Sequence, residues 1–407
     1  MDAKPTTLMV RQPIFDDRLK IVAYEIRSAD PLGLEETLLS SEQEGSLLLM
    51  HTFTSLSQNG HISKVPLFIP FPPNMLKGDQ PLLLPKKEIV IEISSNIDVD
   101  DALIQHLKML KKSGFRLALS DFALQPHLFP LVKLVHIVKI DFALITRKTL
   151  PKLLTLLKSS GITPMAQHVD DFVTLKLCRE LEFKLLQGRF ISRPSTTQSR
   201  NIPSSSIALL QLIKELERPD ITPPEIEELI IMDPVLTVKI LRVVNSAAYK
   251  LSQPITALQQ AIVLLGQEQI RKWAILISLS GQEGKPEEIS RNLLVRSRMC
   301  ELLAESKELP SSESAFMVGM ISLLDLILDV EMEQLLKQLP LDDNVKTAIT
   351  EFRGDLGQLL QSVIAFEQGE FDKLNLTSTE KHFLDVAYRH SLSWTENAMQ
   401  ALSSTEH

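Results

Sequence analysis

The sequence predicts a multidomain chain: an α/β barrel of about eight strands followed by an all-α domain. Three observations carry this. In the first half, short apolar runs recur every 21 to 27 residues with helical patterns between them, the spacing of one strand plus one crossover helix. After residue 206 the apolar period changes to 3.6 and strand-like alternation disappears. Between the two regimes, residues 193 to 206 read RPSTTQSRNIPSSS, a polar, Ser- and Pro-rich connector. The expected organisation is therefore 1–195 barrel, 196–206 linker and 207–407 helical domain.

The elements follow in order. LMVRQPIF and KIVAYEIR open the chain, and VPLFIPF (65–71), EIVIEIS (88–94), FRLALSDF (115–122), HIVKID (136–141), TPMAQHV (163–169) and LLQGRFI (185–191) complete the strand set. Strands apolar on both faces belong in a parallel sheet, and about eight of them suit a closed barrel of TIM type better than an open doubly wound sheet. No glycine-rich phosphate loop follows any strand, which removes support for a dinucleotide-binding sheet. Beyond the connector, ALLQLIKELE, IEELIIM, LTVKILRVV, LQQAIVLL, IRKWAILISL, LLVRSRMCELLAE, AFMVGMISLLDLIL and the segment from Thr379 to Leu402 are leucine-heavy amphipathic helices. Thr222 before Pro223, and Asp233 before Pro234, are helix starts: a capping side chain followed by proline at the first helical position.

Composition narrows the function classes. In 407 residues, 44% hydrophobic, no apolar run reaches the roughly 18 residues of a membrane span. The opening residues MDAKPTTLMV lack the pattern of a secretory signal, so a soluble, cytoplasmic protein is expected. Cys178 and Cys300 lie in separate predicted domains within helical apolar patterns, where buried free thiols are expected. Basic and acidic residues number 24 and 21 in residues 1–199, but 19 and 30 in residues 200–407. An acidic half repels a phosphate backbone, so nucleic acid is not the expected ligand and a protein partner is favoured, with a homodimer as one form of it.

The phrases RQPIFDDRLKIVAYEIRS, VIEIS, ALSDF, VKID and LLQGRFISRP resemble the EAL domain family, cyclic-di-GMP phosphodiesterases built on a TIM-type barrel. IIMDPVLTVKILRVVNSAAY and ITALQQAIVLLGQEQIRKWA resemble the HDOD domain, a relative of HD-type phosphohydrolases, and together the two cover nearly the whole chain. The resemblance implies bacterial signalling linked to cyclic di-GMP, motility, biofilm or stress responses.

Carried over residue by residue, the resemblance places Glu25 at the family's EAL glutamate, Glu92 at its next glutamate, Asp121 at the second aspartate of a DDFG phrase, Lys139 at the lysine of KID and Gln187 at the glutamine of the QG turn. Hydrolysis with two divalent cations needs a cluster of oxygen ligands, and several positions depart from it. Ser120 replaces the first aspartate, Pro70 stands where an asparagine belongs, and Gln167-His168 interrupts the EGVE glutamate. Arg27 replaces a leucine, and Ala29 an arginine that would hold substrate phosphate. In the helical half, no histidine occurs between Val169 and Lys381, Ser322-Leu323 stands where a His-Asp pair would be, and Arg296 where a first histidine would be.

From these departures the sequence-level expectation is a non-catalytic signalling adaptor with no metal or cofactor and no cyclic-di-GMP binding. Glu92, Asp121 and Lys139 would form an ion-paired plug in the barrel mouth, with Glu25 as readily a solvated rim residue and His168 a hydrogen-bonded core or rim residue. Asn245, Tyr249, Arg271 and Trp273 would offer a polar and aromatic docking patch, although helix capping and core packing also explain them. The alternatives are a cyclic-di-GMP receptor that binds without hydrolysis and a residual phosphodiesterase.

Overall fold

The computed structural model describes residues 8–29, 65–71, 73–77, 84–141, 145, 148–190, 204–246, 249, 253–280, 285–374 and 376–403. The chain divides into two compact units, Met1–Arg193 with Ala365–His382, and Pro194–Ile364 with Phe383–His407.

The first unit is a closed barrel of eight strands: β1 (Leu8–Asp16), β2 (Ile21–Ala29), β3 (Leu67–Pro70), β4 (Ile89–Ile93), β5 (Arg116–Leu119), β6 (Ile137–Asp141), β7 (Thr163–Gln167) and β8 (Leu185–Leu186). The barrel is not all-parallel, as the strand pattern alone suggests, because β1 runs antiparallel to both β2 and β8. The reason is local. Only four residues join β1 to β2, too few for a crossover, and the Asp16 carboxylate closes the turn by accepting from the backbone N–H of Arg18 at 2.9 Å and Lys20 at 2.8 Å. Later strands are separated by enough chain for helices, among them Asp101–Lys112, Leu150–Ser159 and Phe172–Glu180, and pair in parallel. Asp100 and Asp171 cap two of those helices through backbone N–H groups three residues on.

Inside the barrel, Ile14, Ala23, Phe68, Val90, Ala118, Ile137 and Met165 form one buried apolar layer, with Leu185 packed against it. Side chains alternate along a strand, so the residue two places on from each faces the same way. That next layer toward the carboxyl ends is Glu25, Pro70, Glu92, Ser120, Lys139, Gln167 and Gln187: an apolar floor under a polar mouth.

Among its described residues the second unit has helices and connecting turns but no strand. Thr222 and Glu225 make a reciprocal capping box at the start of Pro223–Ile231, and Asp233 accepts from Val235 and Leu236 N–H at the start of Pro234–Val244. Gly319 lets the helix Ser312–Ile321 approach Glu287–Ser306, since an added Cβ would lie 2.9 Å from the Arg296 carbonyl oxygen. Trp273, 1% exposed, stacks on Trp394 with centroids 5.0 Å apart. No helix among the described residues is long and apolar enough to cross a membrane.

Candidate functional site

The polar mouth converges on Lys139. Its Nζ donates to Glu25 Oε2 at 2.8 Å and to Glu92 Oε1 at 2.8 Å, and Gln187 Nε2 donates to the same oxygen of Glu25. Lys139 is fully buried, with Glu25 at 8% and Glu92 at 4% exposure, so Glu25 is not a solvated rim residue. Such charges persist in a barrel interior only as partners. The plug differs in membership from the expected one: Glu25 and Gln187 join it, whereas Asp121 acts on Glu92 only through its charge. Asp121 follows β5 in a left-handed conformation, φ 51°, and Ser120 is tied to the Ile93 carbonyl through its hydroxyl at 3.3 Å.

Electrostatics separate the two glutamates. Burial raises both, but the attraction and hydrogen bond of Lys139 and the amide of Gln187 hold Glu25 below its ordinary range. For Glu92, burial and then the charge of Glu25 outweigh Lys139, pushing the carboxyl up to about 7. Burial opposes the charge of Lys139, yet the two glutamates win and its ammonium is held above the usual range. One oxygen of Glu92, Oε2, and Oε1 of Gln167 are buried with no hydrogen-bond partner, so the mouth keeps acceptor capacity.

Gln187 is aimed by the turn that follows it. Val169 N–H donates to the Gln187 carbonyl at 3.0 Å and Phe190 N–H to the Val169 carbonyl at 3.0 Å. Gly188 lies so close that an added Cβ would strike the Val169 backbone. A second polar pair stands at the same end of the barrel, His168 Nδ1 against Asp141 Oδ2 at 2.9 Å. Sequence reasoning left His168 without a partner and gave Asp141 no role. The signal was available, because Asp141 lies two residues beyond Lys139 on a strand and shares its face.

Two-cation hydrolysis, which the family resemblance implies, can be tested against these residues. Among the described residues no group of three His, Cys, Asp or Glu side chains is spaced to hold a metal ion. The Lys139 ammonium also lies between Glu25 and Glu92. The residues present do not fit a two-cation centre in this arrangement.

The residues of the expected docking patch make contacts within the helical unit. Asn245 donates to the Leu241 and Ile255 carbonyls at 2.9 and 2.7 Å and accepts from Ile255 N–H at 2.7 Å, clamping a loop to its own helix. Trp273 Nε1 donates to the Tyr249 hydroxyl at 2.5 Å, and Arg271 pairs with Glu268 on its own helix. Trp273 is therefore core, not a surface anchor, because stacking on Trp394 takes its ring out of solvent. Arg296 donates to the Ser322 hydroxyl at 3.1 Å, and burial pushes Asp325 up to about 6. Cys178 and Cys300 are buried, and burial pushes the Cys178 thiol up to about 12, away from nucleophilic use.

An EAL domain model matches residues 34–194 and an HDOD domain model residues 202–348. Among curated proteins, the cyclic di-GMP phosphodiesterase CdgJ of Vibrio cholerae serotype O1 is 31% identical over 95% of this chain and 90% of the relative. The uncharacterized protein YuxH of Bacillus subtilis is 30% identical over 97% of this chain and 99% of the relative. Among solved structures, a standalone versatile EAL protein from Vibrio cholerae O395, in c-di-GMP bound form, is 21% identical and covers 48% of this chain and 94% of its own, with a TM-score of 0.37. An EAL domain protein from Listeria monocytogenes is 20% identical over 48% of this chain and 90% of its own, with the same TM-score of 0.37.

Proposed function

Since the chain belongs to the proteins that join an EAL domain to an HDOD domain, we propose that its barrel mouth binds cyclic di-GMP and hydrolyses one of its phosphodiester bonds. This reading replaces the non-catalytic adaptor, and with it the expectations that the chain is no enzyme and does not bind the dinucleotide. A relative of near-equal length at 31% identity, named a cyclic di-GMP phosphodiesterase, overturns them. Positions that depart from one family's pattern do not by themselves empty a site.

The observation that carries the proposal is the layer of Glu25, Glu92, Lys139 and Gln187, buried and bonded to one another on the carboxyl-end side of the barrel's apolar layer. That face is where barrels of this architecture place their chemistry. Two buried cysteines in separate units, not joined to one another, support a reducing, cytoplasmic setting.

A second reading, binding without cleavage, is favoured by the Lys139 ammonium lying between the two glutamates. Titrating the full chain with cyclic di-GMP by calorimetry, and following linear dinucleotide by chromatography with Mg²⁺, with Mn²⁺ and with chelator, separates the readings. Product formation lost in Glu92→Gln supports hydrolysis, heat without product supports the receptor, and neither heat nor product overturns both.

A further inference from the structure

Asp141 and His168 bring an oriented imidazole to the mouth of the barrel. Asp141 ends β6 in register with Gln167 of β7, and His168 is the next residue along the chain. The Asp141 side chain is 11% exposed and the His168 side chain 59%, so a buried carboxylate holds an accessible ring. With the carboxylate accepting from Nδ1–H, the neutral ring carries its lone pair on Nε2. The backbone at His168 is left-handed, φ 53°, a conformation that disfavours residues other than glycine and persists where the surroundings impose it. Those surroundings are the Val169 hydrogen bonds that also aim Gln187.

We propose that His168 is the proton acceptor of the barrel mouth and Asp141 its positioning residue. The inference rests on the phosphodiesterase reading above. His168 Nε2 takes a proton from water as the water oxygen bonds to a phosphorus of the cyclic dinucleotide. The bond from that phosphorus to one ribose oxygen breaks, the ribose oxygen takes a proton from solvent, and the imidazolium returns its proton to solvent. One water is consumed per bond cleaved. Histidine is the side chain most often found as a general base, and here its Nε2 is the accessible nitrogen. Of its neighbours, Gln167 is an amide, Lys139 is committed to two glutamates, and Glu92 is buried against that ammonium, whereas the His168 ring is accessible.

The test uses His168→Gly, which suits a left-handed backbone and leaves a ring-sized space. With the full chain and cyclic di-GMP, kcat should fall about 100-fold or more with KM little changed, as loss of a general base predicts, and added imidazole should restore part of the turnover. Asp141→Asn should lower kcat without imidazole rescue. Should the glycine variant lose its native circular dichroism, His168→Asn, which also tolerates this backbone, carries the same expected split of kcat from KM. Native-like turnover in a folded His168 variant, or no rescue in folded His168→Gly, overturns the dyad and leaves the phosphodiesterase reading standing. If the native chain itself forms no linear product, that reading falls and the dyad falls with it.

Discussion

Lys139 Nζ lies 2.8 Å from Glu92 Oε1, while the other oxygen of the same carboxylate is buried without a hydrogen-bond partner. The pair is thus satisfied on one side and open on the other. Burial of an ammonium between two carboxylates contributes little net stability if all three are present, but removing one charge strands the others. Lys139→Met should therefore destabilise the barrel by about 3 to 5 kcal/mol, measured by urea unfolding. The triple variant with Glu25→Gln and Glu92→Gln should recover most of the loss; a Lys139→Met protein as stable as the native chain contradicts the buried pairing.

Glu92 gives the stability of the chain a pH dependence of known sign. Its carboxyl is raised from an ordinary 4.5 to about 7. Between those values the folded state holds more proton than the unfolded state, so the Glu92 contribution declines as pH rises through that window. Glu92→Gln cannot titrate. Its unfolding free energy, followed from about pH 5 to 7, should fall less steeply than that of the native chain. An equal or steeper decline would show that Glu92 is not raised.

Gly188→Ala tests the turn that aims Gln187. The new Cβ meets the backbone of Val169, not a movable side chain. The turn must open, which breaks the Val169–Gln187 and Phe190–Val169 bonds and moves Gln187 off Glu25. The expected result is a loss of roughly 2 to 4 kcal/mol, of the size that overpacking and broken buried hydrogen bonds produce together, with weakened cyclic-di-GMP binding. Unchanged melting and unchanged binding would contradict this.

In the helical unit, Trp273→Ala removes a ring stacked on Trp394 and the donor to the Tyr249 hydroxyl. A loss of about 3 to 5 kcal/mol is expected for a fully buried tryptophan. Trp273→Phe should retain most of that stability. A surface anchor would behave differently, leaving the Tm of Trp273→Ala near native.

Much of the architecture was legible in the sequence because hydrophobic period depends on local residues. The eight strand segments, the switch to period 3.6 and the capping residues Thr222 and Asp233 all stand where the patterns put them. The direction of β1 was not legible from apolar runs, since period two is the same for either direction. It followed from the length of the Asp16–Ile21 connection and the Asp16 turn.

What the sequence determined by itself was the order of the two folds, because the apolar period changes at the connector, while the candidates Glu25, Glu92, Lys139 and Gln187 came from the family resemblance. What only the tertiary structure decided was which of them meet. Glu25 and Lys139 are 114 residues apart and Asp141 and His168 are 27 apart, and only barrel closure and strand register bring each pair within hydrogen-bond distance. The same holds for Trp273 and Asn245, where packing against Trp394 and Ile255 made core and clamp of residues whose types suited a docking surface equally well.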